Sequence, residues 1–111
     1  MEINSEAQKM IQELQVLEQN LQQQSMQMQA FQLELNETES ALSEIGKSKE
    51  DVYRIVGSIM LKAEKSELGK ELKEKKDILN LRLSSIEKHE NLLREKAEKL
   101  RESLMKSMKK E

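Results

Sequence analysis

His89 is the one histidine in a chain of 111 residues that has no cysteine. General acid–base catalysis needs a titratable group poised against a second one, and a transition-metal site needs several His or Cys ligands at fixed spacing. His89 has no second imidazole, thiol or paired carboxylate at such spacing, and beside Glu90 it reads as a solvated helix residue. No glycine-rich phosphate loop and no nucleophile–base pair occurs either, so the sequence predicts neither an enzyme nor a cofactor site. The run Lys73-Glu74-Lys75-Lys76 reads as a charged face that supports a helix. What remains is the chemistry of apolar contact. Four of the seven methionines, Met1, Met10, Met105 and Met108, lie near the two ends of the chain. Methionine is flexible and polarizable, and suits surfaces that must accept many shapes.

The elements that carry these residues are legible from composition and period. Charged residues make up 36% of the chain and apolar ones another 36%; Phe31 and Tyr53 are the only aromatics, and proline is absent. That composition is too polar for a compact core but suits long helices that bury a narrow seam. Residues 1–51 carry a net charge of −7 and residues 52–111 a net +5. Halves of opposite sign attract when laid side by side. The longest apolar run is Ile59-Met60-Leu61, too short to span a membrane. The opening Met1-Glu2-Ile3-Asn4 lacks the basic start and apolar core of a signal peptide, so a soluble cytoplasmic protein is expected.

Steps of four and three from Ile3 visit Ala7, Met10, Leu14, Leu17, Leu21, Gln24, Met28, Phe31, Leu35, Thr38, Leu42 and Ile45, and eleven of these thirteen positions are apolar. Such a repeat over six heptads predicts a coiled-coil seam. All ten glutamines lie between Gln8 and Gln32, mostly off the seam, as on a solvated face. Ser5 with Gln8 fits a capping box, and Gly46 fits a left-handed closing turn, so a first helix is expected over about 5–45. A second seam runs through Leu72, Lys76, Leu79, Leu83, Ile86, Glu90, Leu93, Ala97, Leu100, Leu104 and Ser107, of which eight are apolar. With Ser66 as N-cap, a second helix is expected over about 66–109, with Gly69 costing roughly 1 kcal/mol relative to alanine. Each helix would be on the order of 60 Å long at 1.5 Å per residue, and equal lengths favour antiparallel pairing.

Between the helices, after a linker at 46–51, the text DVYRIVGSIMLKA (51–63) is rich in β-branched and large apolar residues. Gly57-Ser58 is a type II′ turn signal, which predicts a β-hairpin over 52–63 with Val56 facing Ile59, Ile55 facing Met60 and Tyr53 facing Lys62. An irregular apolar loop is the alternative. A lone two-stranded hairpin is marginal in water, with both edges open and nothing to cover Val52, Tyr53, Ile55, Val56, Ile59, Met60 and Leu61. Several chains pooling their hairpins into a sheet or barrel would remove the edges. The expected fold is therefore mainly α: a single domain over 1–111, a long antiparallel coiled-coil hairpin whose two helices are joined by a short β-hairpin that contributes to an oligomeric β-barrel.

This order of parts resembles prefoldin, specifically the archaeal-type β-class subunit with a single hairpin. The specific stretch is LNETESALSEI (35–45) leading into DVYRIVGSIMLKAEKSELGKELKEKKDILNLRL (51–83), with most weight on Tyr53, Val56 and Gly57. Family members often carry proline after that glycine, where this chain has Ser58. The resemblance implies a hexamer of two α-class and four β-class subunits on a double β-barrel, with six coiled coils that hold unfolded polypeptides at their tips. It implies no use of ATP, and transfer of clients to a group II chaperonin. The partners so implied are an α-class subunit, other copies of the chain, unfolded clients and that chaperonin.

At the tips, Ile3, Met10, Ile11, Leu104, Met105 and Met108 are the candidate client-binding residues. Ile3, Met10 and Leu104 also continue the seam and are equally read as part of it, whereas Ile11, Met105 and Met108 lie off it or at its end. Lys106, Lys109 and Lys110 are candidate chaperonin contacts. A structural coiled-coil scaffold that binds partner helices is the alternative function, but it has little use for the apolar hairpin. Nucleic-acid binding is not expected, since acidic residues interleave the basic ones and no aromatic is available to stack.

Overall fold

The structure is a computed structural model that describes residues 5–109. Helix α1 (Ser5–Lys47) is followed by strand β1 (Val52–Val56), strand β2 (Ile59–Ala63) and helix α2 (Lys65–Lys109). The chain divides into two compact units, one formed by Met1–Gln29 with Ser84–Glu111 and the other by Ala30–Leu83.

Burial along both helices follows the 3-4 repeat. Every described seam position of α1, from Ala7 to Ile45, is buried or half-buried, and so is every seam position of α2 from Leu72 to Ser107. In the terminal unit Ala7, Leu93 and Ala97 are buried, and in the hairpin-bearing unit Leu35 and Leu79 are. Polar contacts between the helices fall in antiparallel order within each unit. In the first, Arg101 pairs with Glu18 at 3.2 Å, and the Gln24 amide bonds to His89 Nδ1. In the second, Lys75 reaches Glu34 at 3.1 Å, Lys76 reaches Glu39 at 3.9 Å, and the Arg82 guanidinium lies 5.7 Å from the Phe31 ring centroid. These ion pairs join acidic α1 to basic α2, but each is exposed and contributes at most about 1 kcal/mol.

The polar residues within the seam are mostly satisfied. Buried Thr38 donates its hydroxyl to the Glu34 carbonyl one turn earlier at 2.8 Å, so its own helix pairs it. Glu90 accepts from Arg94 Nε at 3.0 Å. Gln24 is the exception: its amide nitrogen finds His89, while its buried Oε1 has no partner among the described residues.

The helix ends differ from the expected caps. Ser5 is already helical at the first described residue, so it is not an outer cap. Gly46 is not in a left-handed conformation; the helix runs through it to Lys47, and Ser48 N–H still reaches the Glu44 carbonyl at 2.9 Å. The turn that follows is built by Ser48, whose hydroxyl accepts from Glu50 N–H at 3.2 Å, which removes the need for a glycine cap. Ser66 lies inside α2, which begins one residue earlier; the Glu64 carbonyl accepts the first bond, from Leu68 N–H at 2.9 Å. Lys65 Nζ donates to the Ser48 carbonyl and ties the start of α2 to the end of the linker.

No helix among the described residues is long and apolar enough to cross a membrane. Urea titration at fixed protein concentration checks the seam. Leu79→Ala, at a 2% exposed site, should destabilise the chain by about 2–4 kcal/mol, and exposed Gln22→Ala should be near neutral. Gln24→Met, which removes a buried orphan acceptor, should stabilise by about 1 kcal/mol. Equal midpoints for the three variants would contradict this seam.

Candidate oligomer interface and client-binding surfaces

The hairpin adopts the register expected from its turn. β1 and β2 pair antiparallel, with Val56 opposite Ile59, Ile55 opposite Met60, Arg54 opposite Leu61, Tyr53 opposite Lys62 and Val52 opposite Ala63. Gly57 has φ 62° and is the only positive-φ residue described, so Ser58 keeps a negative φ. Positive φ at the first central residue alone is the signature of a type II′ turn, whose twist matches that of the strands it joins.

Alternation along the strands places Val52, Arg54, Val56, Ile59, Leu61 and Ala63 on one face and Tyr53, Ile55, Met60 and Lys62 on the other. Both faces are largely uncovered. Ile55 is 72% exposed, Met60 66% and Ile59 60%, with Val56, Tyr53 and Leu61 also exposed; Val52 alone of the seven predicted interface residues is half-buried. At the base, Arg54 pairs with Glu71 of α2, and Lys62 with Asp51 at 3.3 Å. The first ties the hairpin to α2 and the second ties β2 to the linker before β1, and the outer portion of the hairpin is left uncovered. An exposed apolar sheet without a third layer is costly in water.

The predicted client-binding residues divide in two. Met105 and Met108 on the last turns of α2 are exposed, at 60% and 46%. Met10 and Leu104 are half-buried on the seam. Ile11, expected off the seam, is half-buried too; it widens the α1 stripe next to Met10 and offers less free surface than the two methionines. Ile3 and Lys110 lie outside the described residues.

In the terminal unit the structure also brings together residues that are far apart in the sequence. Lys9, Val16 and Leu17 from α1 and Lys96, Lys99 and Leu100 from α2 line an open groove of about 770 Å³. Val16, off the seam and 55% exposed, is the one local signal that points there. Among the described residues no cluster of His, Cys, Asp and Glu could hold a metal ion.

Residues 8–111 match the family described as prefoldin subunit. The chain is 41% identical over 109 residues to the prefoldin subunit beta of Thermococcus gammatolerans, covering 96% of this chain and 93% of that protein. It is 35% identical to that of Methanothrix thermoacetophila, covering 96% and 91%. The crystal structure of the prefoldin beta subunit from Thermococcus strain KS-1 superposes with a TM-score of 0.87 at 35% identity, covering 96% of this chain and 95% of that one. The chain therefore belongs to the prefoldin subunit family, a family of chaperones rather than of enzymes, whose β-class members form hetero-oligomers with other prefoldin subunits.

Proposed function

We propose that this chain is the β-class subunit of an ATP-independent holdase. It assembles with an α-class subunit and further copies of itself, four β with two α, through hairpins pooled in a β-barrel. Its coiled-coil tips capture unfolded polypeptides, which pass to a group II chaperonin in the cytoplasm. The observation that carries this reading is the hairpin: seven apolar side chains on a two-stranded sheet, six of them exposed, are costly in a monomer and are covered by assembly. Exposed Met105 and Met108 support the placement of client contact at the tips. Each such contact is weak, and several tips on one body raise the effective concentration for the next.

Two measurements test the reading. Replacing Ile55 and Ile59 together by Lys should leave the helical circular dichroism intact while sedimentation shows the oligomer dissociated; unchanged sedimentation would remove the hairpin from the interface. In light scattering of a denatured client diluted from denaturant, Met105→Ser with Met108→Ser should roughly halve the protection, as expected when weak, multiply tethered contacts are thinned. Removal of residues 1–10 and 104–111 should reduce protection sharply without loss of assembly, and ATP should change neither result. Full protection by the truncated chain would place client binding elsewhere.

A further inference from the structure

The groove of the terminal unit is asymmetric in charge. Three lysines edge it, Lys9 from α1 and Lys96 and Lys99 from α2, against one carboxylate, Glu13, and its floor is apolar: Val16, Leu17 and Leu100. None of the three lysines takes part in an ion pair or hydrogen bond among the described residues, whereas the neighbouring cations Arg94 and Arg101 are held by Glu90 and Glu18. Free ammonium groups on flexible stems beside an exposed valine form a surface with two demands, one apolar and one anionic.

We propose that this groove takes an extended segment of unfolded polypeptide whose apolar side chains are flanked by Asp or Glu. The inference rests on the holdase reading above and names the class of client that the tips prefer. A client side chain laid on Val16 and Leu17 buries apolar area on both partners, and its flanking carboxylates meet the lysines. Each ion pair is weak and open to water, so the contact forms quickly and breaks easily, and salt screens it. A basic client lacks this contribution and meets like charge instead.

The test is fluorescence anisotropy of the assembled full chain with two labelled peptides that share one apolar core, flanked by Asp and Glu in one and by Lys in the other. The acidic peptide should bind roughly five-fold tighter at low salt, from a few weak exposed pairs acting together. That advantage should vanish at about 0.5 M salt, where the screening length falls to a few ångströms. Lys9→Gln, Lys96→Gln and Lys99→Gln combined should abolish the preference, and the corresponding Glu changes should invert it, with helicity and sedimentation unchanged. Val16→Ser should weaken both peptides alike. Equal affinities in the unaltered chain, or a preference that survives the triple change, would overturn the proposal. So would a triple variant that dissociates without peptide, since the groove would then seat a second copy. A chain that protects a denatured client without preferring the acidic peptide loses this inference and keeps the holdase reading; one that neither protects nor binds either peptide loses both.

Discussion

A backbone N–H at the edge of a sheet must find an acceptor, and two strands cannot supply all of them. In this hairpin the turn is closed by a hydrogen-bonded pair at Val56 and Ile59. Alternation then sends the amides of Tyr53, Ile55, Met60 and Lys62 away from the ladder. Water could satisfy them in a polar hairpin, but here they lie among exposed Ile55, Ile59 and Met60. Pairing with another strand answers both problems at once, because it supplies acceptors to the edges and cover to the apolar faces. The rest of the architecture follows. If association between chains is confined to the hairpin, each pair of helices must be stable within its own chain.

The helices meet that demand with a narrow seam and charge complementarity rather than a broad core. Few side chains are fully buried, and alanines at Ala7 and Ala97 bring the seam of the terminal unit under close cover. Polar residues are admitted where a partner is at hand, as for Thr38 on the Glu34 carbonyl and Glu90 on Arg94. Gln24 breaks this rule with an orphan carbonyl oxygen. Such a polar position costs stability, and in coiled coils it can hold one register against slippage.

The seams are legible in the sequence because a sustained 3-4 repeat lines up one face of a helix and of no other regular structure. Every described seam position is buried or half-buried. The hairpin register is legible from two residues, Gly57 and Ser58, because a two-residue turn leaves no freedom in pairing. Helix ends are less so. Gly46 and Ser66 have the right types for caps, but local propensity is overridden by the Ser48 turn and by Lys65 reaching back to the Ser48 carbonyl, contacts that depend on the tertiary path of the linker. The groove is hidden in the sequence for a related reason: Lys9 and Lys99 are ninety residues apart, and only antiparallel pairing brings them to one surface. Ile11 departs from expectation because a strict 3-4 seam is narrower than the stripe a helix buries.

The most direct test of the central constraint is residue-resolved hydrogen exchange across the hairpin in the assembled oligomer. The amides of Arg54 and Leu61 point into the ladder and should be protected whenever the hairpin is folded. Those of Tyr53, Ile55, Met60 and Lys62 gain protection only if strands from other chains pair with the edges. Protection at these four positions comparable to that at Arg54 and Leu61, lost when the oligomer is dissociated, is the result the account predicts. Fast exchange at all four in the intact assembly would contradict it, because the hairpins would then meet through side chains alone and the edges would remain open.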